Sequence, residues 1–473
     1  MKINQAHTLF LKQSNYNLSK SAKEFTFIMP NKSNIKKRLS TFQIILLGFA
    51  GVILLGALLL MLPISSAERV VTPFNEALFT STSAVCVTGL VVKDTGSYWS
   101  AFGQAIIITL IQIGGLGVVT IAASFSMLAG RRISLMQRST MQDAISAPKV
   151  GGIVKLTKFI ITGTFIIEAV GAVSMMPVFC KNFGAKGIWM SIFHSISAFC
   201  NAGFDILGTK GNQFCSLTSY TSNPVINITV MLLIVIGGIG FLTWDDIYNN
   251  KFKIKKYRMQ SKIILVTSLI LILLPAIYFF IFDYSDYSIG NRLLASLFQS
   301  VTTRTAGFNT TDLTKLTRPS QAIMIFLMLV GGSPGSTAGG LKTTTMAVLI
   351  LNAFACFKRK EHVCAFGRRI DDSVIKSAAT IVMMYITLFF IGGVSICTIE
   401  KLPLVASLFE TASAIGTVGL TLGITPKLSL ASQIILIILM YLGRVGGLTL
   451  IYATLSVKKH INAKMPLDKI TVG

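Results

Sequence analysis

Charge is scarce in this chain: 13% of its 473 residues are Asp, Glu, Lys or Arg, against 52% hydrophobic. That balance excludes an ordinary soluble domain, in which about a quarter of residues are charged. Acids are scarcer still, 18 against 43 Lys and Arg, and Glu168 is the one acid midway along an apolar run. An alternating-access carrier, which would want paired intramembrane acids and inverted repeats, is therefore the remoter alternative. The four histidines (His7, His194, His362, His460) are scattered, and the seven cysteines have no metal-ligand spacing. No constellation for a membrane-embedded enzyme is present, and the chain is expected not to be one.

What is abundant is apolar sequence in runs long enough to cross a bilayer, which takes about 20 residues. The expected fold class is an all-α polytopic membrane protein. The net charge of +25 is concentrated in particular segments. Residues 1–42 carry eight Lys/Arg against one acid, Glu24. Later clusters hold Arg131, Arg132 and Arg138; Lys251, Lys253, Lys255, Lys256 and Arg258; Lys358, Arg359, Lys360, Arg368 and Arg369; and Lys458, Lys459, Lys464 and Lys469. All fall on one side if the chain crosses twice between clusters. Excess Lys/Arg marks the cytoplasmic face, so both termini are expected inside a plasma-membrane protein, and binding to nucleic acid is unnecessary to explain the charge.

One phrase recurs four times: ALFTSTSAVCVTGL (Ala77–Leu90), SIFHSISAFCNAGF (Ser191–Phe204), SLFQSVTTRTAGF (Ser296–Phe308) and SLFETASAIGTVGL (Ser407–Leu420). Each copy is a short amphipathic run ending in a glycine turn, set between longer apolar stretches. The turn glycines Gly89, Gly203, Gly307 and Gly419 are spaced by 114, 104 and 112 residues. The expected organisation is a basic tail (1–40), repeats over 41–130, 150–246, 260–357 and 373–457, and a second tail (458–473). Each repeat reads as spanning helix, short re-entrant helix, spanning helix, giving eight transmembrane helices and a pseudo-tetrameric pore. Surface hairpins with glycine C-caps are the bland alternative, which four similar copies disfavour. A K⁺ ion must replace its hydration shell with oxygens of moderate field strength. The turns offer Val87-Thr88-Gly89, Asn201-Ala202-Gly203, Thr305-Ala306-Gly307 and Thr417-Val418-Gly419 as four selectivity-filter loops, with K⁺ at the four glycines.

A second recurrence follows each turn. Gly-Gly-type breaks interrupt the next apolar run at Ile113–Gly117, Ile236–Gly240, Val330–Gly340 and Leu442–Gly447. Close helix packing explains small residues in three of them. The third contains Gly331-Gly332-Ser333-Pro334-Gly335-Ser336-Thr337-Ala338-Gly339-Gly340, which cannot remain a regular helix. Non-helical backbone at membrane depth is tolerated beside water or inside protein, so this stretch is expected to be a gating loop. Arg444, at corresponding depth in the fourth repeat, is a charge where charge is costly; such residues usually face a cavity and carry function, the alternative being a salt bridge or carbonyl clamp within the bundle, and Lys342, at the end of the loop, is a second candidate.

These features together resemble the Trk/Ktr/HKT superfamily of potassium transporters, over about residues 40–457, and are closest to the Ktr-type membrane subunit. The resemblance implies K⁺ uptake through a four-repeat pore, a homodimer in membrane lipid, and a cytoplasmic ring of nucleotide-binding regulatory (KtrA/TrkA-like RCK) subunits. Any nucleotide would bind that partner, and no cofactor is expected in this chain. It also implies that Arg444 is a pore-blocking arginine below the filter. Four filter glycines are the pattern associated with potassium, whereas a serine in the first filter leans toward sodium. A sodium-preferring or Na⁺-coupled member of the same family is the nearest rival.

Further expectations attach to single residues. Arg304 is expected to brace its hairpin through carbonyls or an acid such as Asp205 or Glu410, or else to snorkel outward. Glu76 and Glu410 read as acids at the starts of short helices. Trp99 and Trp244 read as membrane-interface anchors.

Overall fold

A computed structural model describes residues 40–128, 133–145, 151–447 and 449. The basic residues before 40, Arg131, Arg132, most of the chain beyond 447 and the closing tail lie outside the described residues. Four uninterrupted helices are long and apolar enough to cross a membrane: α1 (Thr41–Met61), α6 (Ile153–Phe183), α10 (Met259–Phe282) and α14 (Asp372–Glu400). Each precedes a short helix: α2 (Phe74–Cys86), α7 (Lys186–Phe199), α11 (Ile289–Thr302) and α15 (Leu404–Gly416). The four short helices pack most extensively on the long helices that lead into them.

The expected second spanning helices are not continuous. The first is α3 (Ala101–Leu116) and α4 (Val118–Leu128), bent by 95° at Gly117, whose φ is +87°. After α4 comes α5 (Leu135–Ile145). The second is α8 (Pro224–Gly238) and α9 (Phe241–Asn250), bent by 97° at Gly240, φ +91°. The third is α12 (Arg318–Leu329) and α13 (Thr343–Phe357), separated by the loop; the fourth, α16 (Leu430–Val445), ends before Gly446 at φ +87°. By length and composition, the described residues thus hold four spans, or six with each bent pair counted once. Eight uninterrupted spans are not found among the described residues, where left-handed glycines and the 331–340 loop interrupt the helical ladder; most of 448–457, the end of the last expected span, lies outside them.

The helices contact one another in a cycle. Helix α3 packs on α7, α8 on α11, α12 on α15, and α16 on α2. The Tyr441 hydroxyl in α16 donates to the Leu46 carbonyl in α1 at 2.6 Å. Polarity is inverted relative to a soluble protein. Leu54, Leu55, Leu58, Phe165, Val170, Leu274, Phe390 and Ile391 are exposed, while Thr80 through Ser83 are fully buried. An apolar exterior suits hydrocarbon, and the buried hydroxyls draw on helix carbonyls: Ser81 Oγ donates to the Ile53 carbonyl at 2.7 Å.

Candidate functional site

Just beyond each short helix, two positions before the turn glycine, stands a residue with positive φ: Val87 (57°), Asn201 (60°), Thr305 (60°) and Thr417 (51°). The glycines are left-handed too, at 92°, 68°, 81° and 96° for Gly89, Gly203, Gly307 and Gly419. A β-branched residue in that region is strained by about 1–2 kcal/mol, so Val87, Thr305 and Thr417 are held there by their surroundings. Part of the hold is a hydroxyl in each hairpin. Ser83 and Ser413 accept from the Gly89 and Gly419 amides at 3.0 Å. Ser197 instead donates to the Phe204 carbonyl at 2.7 Å, and Thr302 to that of Phe308 at 2.5 Å. The signal for these braces, a hydroxyl five or six residues before every turn glycine, is legible in the sequence but is not among the expected site residues.

The four turns meet one another. A Cβ on Gly89 would collide with the Ala202 carbonyl oxygen, one on Gly203 with that of Ala306 at 2.7 Å, one on Gly307 with that of Val418, and one on Gly419 with that of Thr88. The contact order is first to second, second to third, third to fourth, fourth to first. The Thr88, Ala202, Ala306 and Val418 carbonyls thus stand at the four junctions of a closed ring. The hydroxyls of Thr88, Thr305 and Thr417 are buried without a hydrogen-bond partner among the described residues. Buried hydroxyls of that kind are costly unless water or a cation serves them.

The 331–340 loop lies against one side of this ring. A Cβ on Gly339 would strike the Thr417 hydroxyl, and one on Gly331 would stand 3.2 Å from Thr305 Cγ2. The Thr337 hydroxyl faces the Asn201 side-chain oxygen at 3.0 Å. Backbone bonds pin the loop to the break in α8: Ser333 N to the Gly238 carbonyl at 3.0 Å and Thr337 N to that of Gly237 at 3.2 Å. Two cations hold its carbonyls. Lys342 Nζ donates to Ala338 at 2.7 Å. Arg444 donates to the Thr337 carbonyl and, across the bundle, to those of Gly114 and Gly115, the latter at 3.0 Å. Arg444, Lys342, Pro334, Gly335, Ser336, Ala338 and Gly340 line a cavity of about 560 Å³, whose wall is otherwise mainly apolar.

Several single-residue expectations are corrected. Arg304 neither snorkels nor meets an acid; it is buried and donates to Ser268 Oγ in α10 at 3.1 Å. Glu410 is interior to α15 and accepts from Thr421 and from Thr425 at 2.9 Å, tying the segment beyond its turn to the helix. Glu76 does sit in the first turn of α2, paired with Lys93 at 3.2 Å. Trp99 and Trp244 are buried, and Trp244 Nε1 donates to the Ile236 carbonyl at the α8 break, at 2.9 Å. Glu168 is buried, accepting from Gln112 Nε2 at 3.2 Å.

Comparison with known proteins follows the same outline. The TrkH family, described as a cation transport protein, matches residues 18–464. The potassium/sodium uptake protein NtpJ of Enterococcus hirae is 39% identical over 93% of this chain and 99% of its own length. The Ktr system potassium uptake protein B of Bacillus subtilis is 35% identical over 91% and 96% respectively, and that of Vibrio alginolyticus 35% over 94% and 98%. The crystal structure of the potassium transporter TrkH from Vibrio parahaemolyticus superposes with a TM-score of 0.70 over 90% of this chain and 87% of that one; at 18% identity it speaks for the fold alone. The chain belongs to the TrkH/Ktr family of membrane cation transport proteins.

Proposed function

We propose that this chain is the ion-translocating subunit of a K⁺ uptake system, a pseudo-tetrameric channel-like pore in which four filter loops select the ion and the 331–340 loop gates it. The observation that carries the reading is the cyclic closure of the four glycine turns. Four like turns around one axis bring backbone carbonyls and threonine hydroxyls together as substitutes for a hydration shell. Ions move down their electrochemical gradient, since one mid-span acid does not make a coupling relay. Arg444 and Lys342 hold the loop across the path, adding a positive barrier beneath the filter.

K⁺ uptake is named in the two Ktr relatives, and the four unsubstituted glycines agree with that choice of ion. The Enterococcus hirae relative is named for potassium and sodium, so Na⁺ transport by the same filter is the second reading. By the family resemblance the subunit works as a plasma-membrane homodimer, termini inside, with a nucleotide-binding cytoplasmic ring moving the loop.

The deciding experiment is K⁺-dependent growth and ⁸⁶Rb⁺ uptake in an uptake-deficient bacterium expressing the chain, with Na⁺ as competitor. Gly307→Ser should weaken exclusion of Na⁺ because its Cβ meets the Val418 carbonyl at a φ of +81°. Discrimination unchanged in a normally expressed Gly307→Ser protein would remove the filter assignment. Growth restored by Na⁺ but not K⁺ would favour the second reading.

A further inference from the structure

Gate and filter share a side-chain contact that the gating scheme does not require. Thr337, seventh residue of the 331–340 loop, is fully buried, and its hydroxyl lies 3.0 Å from Asn201 Oδ1 and 3.1 Å from the Phe199 carbonyl. Asn201 opens the second filter turn at a φ of +60° and is 1% exposed. Its amide nitrogen donates the other way, to the Arg304 carbonyl at 3.3 Å, immediately before the third filter turn. A chain of hydrogen bonds therefore runs from the loop through Asn201 into two adjacent turns. The Arg444 guanidinium holds the same residue from behind, at the Thr337 carbonyl.

We propose that Thr337 is a positioning residue for ion selectivity: its hydroxyl orients the Asn201 amide, which sets the spacing of the second and third filter turns, so that moving the loop changes which ion the filter prefers. This rests on the filter-and-gate reading above and adds a regulation to it. When the loop withdraws, Asn201 Oδ1 and the Phe199 carbonyl lose the single hydroxyl proton that lies between them. The left-handed Asn201 is then free to turn its amide, and the carbonyl it anchors at Arg304 loses its clamp. An unmade bond at a buried polar group costs more than the bond contributes, so the turn relaxes toward other partners. The surroundings leave no slack for a substitute, since a Cβ on Gly237 would stand 2.8 Å from Thr337 Oγ1 and 2.9 Å from Asn201 Oδ1. The seal between gate and filter is therefore tight only while the loop is in place.

The test is Na⁺ competition against ⁸⁶Rb⁺ uptake by the full-length chain in uptake-deficient cells, with membrane abundance measured for every variant. Thr337→Val keeps the shape and removes the hydroxyl; it should lower exclusion of Na⁺ roughly 3- to 10-fold, the range of one hydrogen bond, and Thr337→Ser should restore it. Asn201→Gly, which tolerates the positive φ, should shift selectivity similarly, and the double variant should shift no further. Deleting residues 332–339 removes Thr337 and should lower discrimination as well as raise flux. A Thr337→Val protein with altered flux but unaltered discrimination, or additive effects of the two substitutions, would overturn the inference while leaving the pore reading intact. Should Gly307→Ser also leave discrimination unaltered, the filter reading fails and the inference with it. If Thr337→Val does not reach the membrane, the comparison of Asn201→Gly in the intact and loop-deleted chains decides: the inference requires the Asn201 effect to vanish once the loop is absent.

Discussion

Lys342 Nζ lies 2.7 Å from the Ala338 carbonyl oxygen, so the loop is clasped by the residue that starts the next helix. The Arg444 guanidinium clasps the neighbouring Thr337 carbonyl from another repeat. On the pore reading proposed above, two cations on consecutive carbonyls would neutralise oxygens that attract a permeating ion, and their charge would repel that ion.

From this, Arg444→Ala should raise uptake severalfold, because three backbone carbonyls lose their donors and the loop loses its link to α3. Arg444→Lys should be intermediate, as one ammonium cannot reproduce the planar fork. Tracer flux at constant membrane abundance is the measurement; a loss of protein with no change in flux per molecule would assign Arg444 to folding instead.

Lys342→Met keeps the stem and removes the charge. Uptake should rise less than for Arg444→Ala, because the bonds lost are all within the loop's own span. The double variant should exceed either alone, and the comparison is again flux per molecule.

The hydroxyl braces can be tested one hairpin at a time. Ser413→Ala removes the acceptor of the Gly419 amide and should cost about 1 kcal/mol at a buried site. Discrimination between Rb⁺ and Na⁺ should fall, and thermal stability of the purified protein should drop slightly. Ser413→Thr, which retains the oxygen, should preserve discrimination. Equal loss in both variants would point to packing rather than the hydrogen bond.

Two residues beyond Gly203, Asp205 accepts from the Leu207 amide at 3.2 Å, and the nearby Asp94 accepts from the Phe214 amide at 2.8 Å. Burial, then the Asp94 charge, pushes Asp205 up to about 7. A carboxyl so raised is neutral below that pH and anionic above it, so its attraction for incoming cations is present at pH 8 and fades toward pH 6. Uptake at low K⁺ should therefore fall across that interval. Asp205→Asn should be flat and resemble the acidic limb of the parent; an unchanged pH profile in this variant would exclude Asp205 as its source.

Local pattern in the chain was enough to locate the parts. Apolar run length marked α1, α6, α10 and α14; the recurring phrase marked the short helices and their turn glycines; glycine and proline density marked the 331–340 loop. These depend on backbone preference and the length of apolar runs, which act over a few residues. The interruptions of the later helices were legible as glycine pairs, but not the near right-angle bends, because a glycine permits a left-handed torsion without requiring it.

Only the tertiary arrangement decided which residue meets which. That Arg304 turns to Ser268, that Glu410 serves Thr421 and Thr425, and that Thr337 reaches Asn201 depend on packing between segments up to 136 residues apart in the chain. The sequence by itself determined that four similar turns exist and that each favours glycine. Their meeting, first with second, second with third, third with fourth and fourth with first, exists only in the packing, where helix α16 also lies on α2. That contact joins segments more than 300 residues apart, a distance over which the local preferences of either helix carry no information.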